Sequence, residues 1–146
     1  MAHIKLTLQE IYKLDIELNG FVNQATGEML SFGLLCEKLN LPTKYWLTDL
    51  AKKTSSEKLV IDQLKEDLIA KYGTKDKDNI FEIEVWTDET KTEFNPSYIQ
   101  YQQEFNTLLQ EVIEIEYHEF KLNDFKNIET SDNYTIFYKK VQIHVT

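Results

Sequence analysis

"LPTKYWLTDLAKKTSSEKLVIDQLKEDLIAKYG", residues 41–73, carries the most sustained periodicity in the chain. Pro42 and Thr43 suit the start of a helix, and Gly73 suits a left-handed cap at its end. Leu47, Leu50, Thr54, Glu57, Ile61, Leu64 and Leu68 recur at alternating steps of three and four, the narrow stripe of a heptad seam. Two members of that stripe, Thr54 and Glu57, are polar and stand in capping-box spacing. The pattern therefore leaves open whether a helix over 43–72 is continuous or breaks at "TSSE". A second helix begins at Asn95-Pro96, with Asn as cap and Pro at the first position, and its stripe is Tyr98, Tyr101, Phe105, Leu108 and Val112. Two helices with matching seams pack most economically as an antiparallel hairpin, so Leu64 and Leu108 are expected in the core.

Around this pair the shorter signals are those of strands and turns. Thr7 and Glu10 stand in capping-box spacing and predict a helix over about 8–18, closed by Asn19-Gly20, although "IKLTL" just before it alternates with period two. "NQATGE" (23–28) reads as a turn and "TKDKDN" (74–79) as a loop. "FEIEVW" (81–86) alternates as a half-buried strand, with Phe81, Ile83 and Val85 on one side and Glu82, Glu84 and Trp86 on the other. In "EVIEIEYHEF" (111–120) a strand over 113–118 places Ile113, Ile115 and Tyr117 on one face and Glu114, Glu116 and His118 on the opposite one. Like charges directly opposed repel. A third strand bearing Lys139 and Lys140, within "YTIFYKKVQIHV", is therefore expected between the two acidic ones, after a helical turn in "NDFKNI" and a polar turn at "ETSDN". The expected fold is α+β, an antiparallel helical hairpin with a small antiparallel β-sheet. It forms a single domain, with a helical part over about 1–73 and an acidic strand-helix-strand part over about 74–146.

Composition narrows the function. Hydrophobic content of 42%, aromatic content of 12% and a mean hydropathy of -0.44 describe a soluble globular domain with a real core. No apolar run approaches the roughly 20 residues that span a bilayer, and the start of the chain lacks the pattern of a secretory signal. The single cysteine, Cys36, excludes an internal disulfide and reads as a small buried hydrophobe. All 16 basic residues are lysine, so the usual bidentate grip on phosphate is missing, and the four glycines form no phosphate-binding loop. The net charge of -9 is concentrated: residues 80–119 hold 10 acids against Lys91 alone. Such a segment repels nucleic acid and attracts basic surfaces.

No enzyme chemistry rises above this background. His3, His118 and His144 are scattered, no nucleophile elbow is present, and alternate residues on a strand lie about 7 Å apart, too far for Glu114, Glu116 and His118 to hold one metal without strong convergence. No cofactor, metal or catalytic residue is expected, and a hydrolase using those three side chains is the weakest of the functional readings. Glu82, Glu84, Trp86, Glu114, Glu116 and His118 instead form a candidate interaction surface. Trp86 either anchors a partner there or folds back onto the core. The helical seams could serve as subunit contacts, and "VQIHV" could add to the edge of another sheet.

The succession "LNGF", "LPTKYWLTDLAKK", "LIAKYG", "NPSYIQYQQEF", "IEYHEFKLNDF" and "NYTIFYK" resembles small acidic proteins of tailed bacteriophages, across nearly the whole chain. That resemblance implies a virion structural or assembly component that binds copies of itself or a larger phage protein. Its implied location is the host cytoplasm or the virion, with no membrane and no direct nucleic-acid contact. The alternative is an acidic inhibitor or nucleic-acid mimic that occupies a basic site on a host protein.

Overall fold

A computed structural model describes residues 1–22, 25–75, 80–87, 90–91, 93–126, 128, 134–141 and 143–144, and the side chains of 22, 29–31, 143 and 144 are not considered. In chain order the elements are β1 (Ala2–Thr7), α1 (Leu8–Asn19), β2 (Phe21–Val22), β3 (Met29–Ser31), α2 (Leu41–Tyr72), β4 (Thr74–Lys75) and β5 (Phe81–Glu82). They continue with α3 (Pro96–Leu109), β6 (Val112–Tyr117), β7 (Phe120–Lys121), α4 (Thr135–Lys140) and β8 (Ile143–His144). Single turns of 3-10 helix occupy Leu34–Cys36 and Leu122–Phe125, the latter overlapping the start of the expected "NDFKNI". The fold is α+β with the expected helical hairpin. Its strands pair two by two: β1 with β6, β2 with β3 and β4 with β5 antiparallel, β7 with β8 parallel. The chain forms two compact units, one of residues 1–58 with 112–146 and the other of residues 59–111.

The first unit holds nearly all of the core. Both periodicities near the N-terminus are real: alternation builds β1, and the capping box converts the chain to helix. Thr7 Oγ1 accepts from the Glu10 amide at 3.1 Å, and Glu10 Oε1 accepts from the Thr7 amide at 3.0 Å. Gly20, at φ 83°, closes α1 as the C-cap. Strand β1 pairs with β6 so that Ile4 meets Ile115, Leu6 meets Ile113, Lys5 meets Glu114 and His3 meets Glu116. Ile115 and Tyr117 are buried while Glu114, Glu116 and His118 are exposed, as the alternation predicts. Leu6, Ile11, Leu14, Leu18, Leu34, Leu47 and Leu50 are fully buried. Phe120, Phe125 and Phe137 close the other side as an edge-to-face cluster with centroids 5.3–6.0 Å apart.

Helix α2 runs unbroken through "TSSE". Thr54 is polar for a reason: it is fully buried with Oγ1 2.9 Å from Asp15 Oδ1 and 3.0 Å from the Ala51 carbonyl. Asp15, itself only 7% exposed, also accepts from Ser55 Oγ at 2.7 Å and Asn19 Nδ2 at 2.8 Å. A buried carboxylate needs such donors, and the polar break in the stripe supplies them.

Several expectations are corrected. The segment bearing Lys139 and Lys140 is helix α4, not a separating strand. Its first free amides, those of Ile136 and Phe137, donate to Glu17 Oε2 and Oε1 at 3.0 and 2.9 Å, so a carboxylate from α1 satisfies donors that a strand would have paired. Lys5 and His3 of β1 take the place next to the β6 glutamates, with His3 Nδ1 3.1 Å from Glu114 Oε1. Cys36 is exposed at the end of a 3-10 turn rather than buried. Gly73 does not adopt a positive φ; glycine suits it because a Cβ there would lie 2.5 Å from the carbonyl oxygens of Glu82 and Ile69. Of "FEIEVW" only Phe81–Glu82 is strand, and Phe81 is exposed. Residues 23 and 24 of "NQATGE", residues 76–79 of "TKDKDN", the whole turn "ETSDN" (129–133), and residues 142 and 145 of "VQIHV" lie outside the described residues.

A candidate interaction surface

The second unit is built differently. Among its described residues only Ile61 is buried, and α3 contributes none. The hairpin forms: Lys71 of α2 reaches Glu104 of α3 at 3.4 Å, and the Lys65 ammonium lies 5.9 Å from the centre of the Phe105 ring. Its seam is not closed, however. Leu68 and Lys71 face Gln100, Gln103, Glu104 and Thr107 across an open groove of about 390 Å³. Leu64 is 39% exposed, which overturns the expectation of a core position, and Leu108 is half-buried.

The stripe of α3 instead forms a track of rings. Asn95 caps the helix through its side chain, accepting from the Ser97 amide at 3.1 Å and donating to the Glu84 carbonyl at 2.8 Å. The Asn95 amide donates to the Val85 carbonyl at 2.8 Å and the Thr87 amide to the Glu93 carbonyl at 3.0 Å. Those two bonds flank a Trp86–Phe94 bridge, and opposed residues in such a non-hydrogen-bonded pair approach most closely. Trp86 accordingly stacks on Phe94 with centroids 4.3 Å apart at 21°. From Phe94 the track continues through Tyr98 and Tyr101 to Phe105 in steps of 6.2, 6.2 and 6.0 Å. Phe94 is 50% exposed and the other rings are half-buried. Burial, and secondarily Tyr98, pushes the Tyr101 hydroxyl above its ordinary value. Ile80, Phe81 and Ile99 add further exposed apolar surface.

The six residues expected to form one surface divide between the units. Glu82 and Glu84 are exposed and Trp86 is half-buried in the second unit; Glu114, Glu116 and His118 are exposed in the first. The latter three also turn to different neighbours. Glu114 meets His3, the Glu116 carbonyl accepts from Lys53 Nζ at 2.6 Å, and His118 stacks on Trp46 at 4.3 Å and 8°. His118 Nδ1 lies 2.9 Å from the Glu119 carbonyl, which can only accept, so this nitrogen carries the proton. With Asn40, Phe120 and Lys121, the His118–Trp46 pair lines an open groove of about 420 Å³. Among the described residues no three His, Cys, Asp or Glu side chains are grouped so as to hold a metal ion. No helix among them is long and apolar enough to cross a membrane.

Sequence reasoning missed Phe94, which precedes the "NP" helix start and offers no periodicity of its own, and placed Tyr98, Tyr101 and Phe105 in a closed seam. The residues 59–111 carry 12 acids and five lysines, so the ring track lies in a unit of net charge -7. Compared with known proteins, the chain matches no family model, no curated protein and no solved structure.

Proposed function

We propose that this chain is a non-enzymatic interaction subunit whose contact surface is the aromatic track of residues 86–105. The observation that carries this reading is the thin core of the second unit: among its described residues one buried apolar side chain stands beside exposed Leu59, Val60, Ile80, Phe94 and Ile99. Apolar side chains left exposed beside so thin a core mark a surface that is covered in use. The resemblance to small acidic phage proteins supports a virion structural or assembly component as the setting. The net charge of -7 in the same unit favours a second reading, an inhibitor that occupies a basic site on a host protein.

Salt separates the two readings. Contacts made by apolar burial survive moderate ionic strength, whereas contacts made by long-range charge weaken steeply as the Debye length falls to about 8 Å at 0.15 M. Light scattering across a salt series on the wild type and on variants Trp86→Ala and Glu82→Gln/Glu84→Gln tests self-association, and affinity capture on the same variants tests a larger partner. Association that survives salt and the Gln changes but fails with Trp86→Ala supports the assembly subunit. Association abolished by either salt or the Gln changes supports the inhibitor. A chain that is monomeric at all salts and captures nothing refutes both.

A further inference from the structure

Building on that reading, we infer that the occupant of the aromatic track is a basic amphipathic segment of a different protein, whose lysine or arginine side chains seat on the ring faces between the flanking glutamates. Three observations support this occupant over a second copy of the chain. The first is charge: the unit bearing the track has net charge -7, with Glu82, Glu84 and Glu93 exposed close in sequence to Trp86 and Phe94. Two such faces brought together would repel, while a cationic segment is drawn in.

The second is that rings of this unit already hold cations from within the chain. The Lys65 ammonium lies over Phe105 at 5.9 Å, that of Lys75 over Phe81 at 5.2 Å and that of Lys71 over Tyr72 at 5.0 Å. Each distance is within the range where the ring quadrupole attracts a cation. Lys65 thus seats at one end of the track, while half-exposed Phe94 with Trp86 forms the other end. The third is dimension. Tyr98 to Phe105 within α3 spans about 10 Å at 1.5 Å per helical residue, and with Phe94 before the helix start the track is long enough to face at least two turns of an incoming helix. Apolar side chains of that helix would rest on the ring edges, and its basic ones would reach the rings and carboxylates together.

The test uses the full chain and three synthetic 15-residue peptides: an amphipathic Lys/Leu helix, its Glu/Leu counterpart, and a Lys/Ser peptide of the same charge. Titration followed by amide chemical shifts should show the Lys/Leu peptide binding at residues 82–105, the Glu/Leu peptide not binding, and the Lys/Ser peptide binding at least tenfold more weakly. Phe94→Ala with Tyr98→Ala should weaken the Lys/Leu complex at least tenfold, with the first unit's amide shifts unchanged as the control for folding. Glu82→Gln with Glu84→Gln and Glu93→Gln should weaken it by less than the ring changes do, without abolishing it, and reduce its salt dependence. Equal binding of the Lys/Leu and Lys/Ser peptides, or shifts confined to the first unit, overturns the inference. A wild-type dimer whose interface contains Phe94 also overturns it, yet leaves the interaction-subunit reading standing; absence of both peptide binding and self-association overturns the two together.

Discussion

Replacing Thr54 with Val removes one hydroxyl from the fully buried contact between α1 and α2 while keeping the side chain's shape. Thr54 Oγ1 sits 2.9 Å from Asp15 Oδ1. Hydrogen bonds to a charged acceptor contribute about 1.5–3 kcal/mol. Asp15 keeps the Ser55 and Asn19 donors after the change, so no carboxylate is orphaned, and the loss should fall in the lower half of that range, about 1.5–2 kcal/mol. Asp15→Ala removes all three bonds but also removes a buried charge, and the Thr54 hydroxyl retains the Ala51 carbonyl at 3.0 Å, so about 1.5–3 kcal/mol is expected. Because the two residues share one contact, the double variant should lose less than the sum, with a coupling of about 1 kcal/mol or more. The assay is urea unfolding followed by Trp46 emission in a Trp86→Phe background, which confines the signal to the first unit. With a slope of about 1–3 kcal/mol per M, Thr54→Val should lower the midpoint by roughly 1 M. An unchanged midpoint, or strict additivity of the two changes, would refute the account of why α2 continues through a polar stretch.

Five further expectations rest on particular contacts. Leu50→Ala should lose about 2–5 kcal/mol as a buried leucine, whereas the more exposed Leu64→Ala should stay within about 1 kcal/mol, as measured by denaturation. Thr7→Ala should remove the cap of α1 at a cost of about 1 kcal/mol. The Thr7 amide, and after it Lys140, holds the Glu10 carboxyl below its ordinary value of 4.5 against the opposing effect of burial, so its contribution is present above pH 4.5 and lost as pH falls through the folded value; Glu10→Gln should flatten that acid limb of the stability curve. Burial raises the Glu17 carboxyl despite the two α4 amides, so stability is fullest below its ordinary value of 4.5 and declines as pH rises through the folded value; at pH 7 Glu17→Gln, whose amide oxygen can accept from only one of the two amides, should lose about 0.5–1.5 kcal/mol, and Glu17→Ala, which uncaps α4, about 1–2 kcal/mol by thermal melting. Gly73→Ala should destabilise the second unit by about 1–3 kcal/mol, read from Trp86 emission in a Trp46→Phe background, because the added Cβ meets backbone rather than a movable side chain.

Local chemistry was legible in the sequence wherever it decides structure by itself. The Thr7–Glu10 capping box, the Asn95-Pro96 start, the Gly20 cap and the two faces of β6 depend on side chains within a few residues of the backbone they control, and each stands as its pattern predicts. The α+β class followed from those periodicities. Partners distant in the chain were not legible. Residues 135–140 have the β-branched and aromatic composition of a strand, and Glu17, 119 residues earlier than Ile136, accepts the amides that cap them as a helix. Thr54 looked like a flaw in a heptad until Asp15 was placed beside it, and β1 rather than the lysines at 139 and 140 came to lie beside the β6 glutamates. The seams of α2 and α3 misled for the same reason. A stripe at three- and four-residue spacing states which side chains share a face, but whether that face is buried depends on how much apolar surface its partner brings. In residues 59–111 the partner brings too little to close the seam, so tertiary structure leaves Leu64 exposed and Tyr98, Tyr101, Phe105 and Leu108 half-buried where the stripe predicts core.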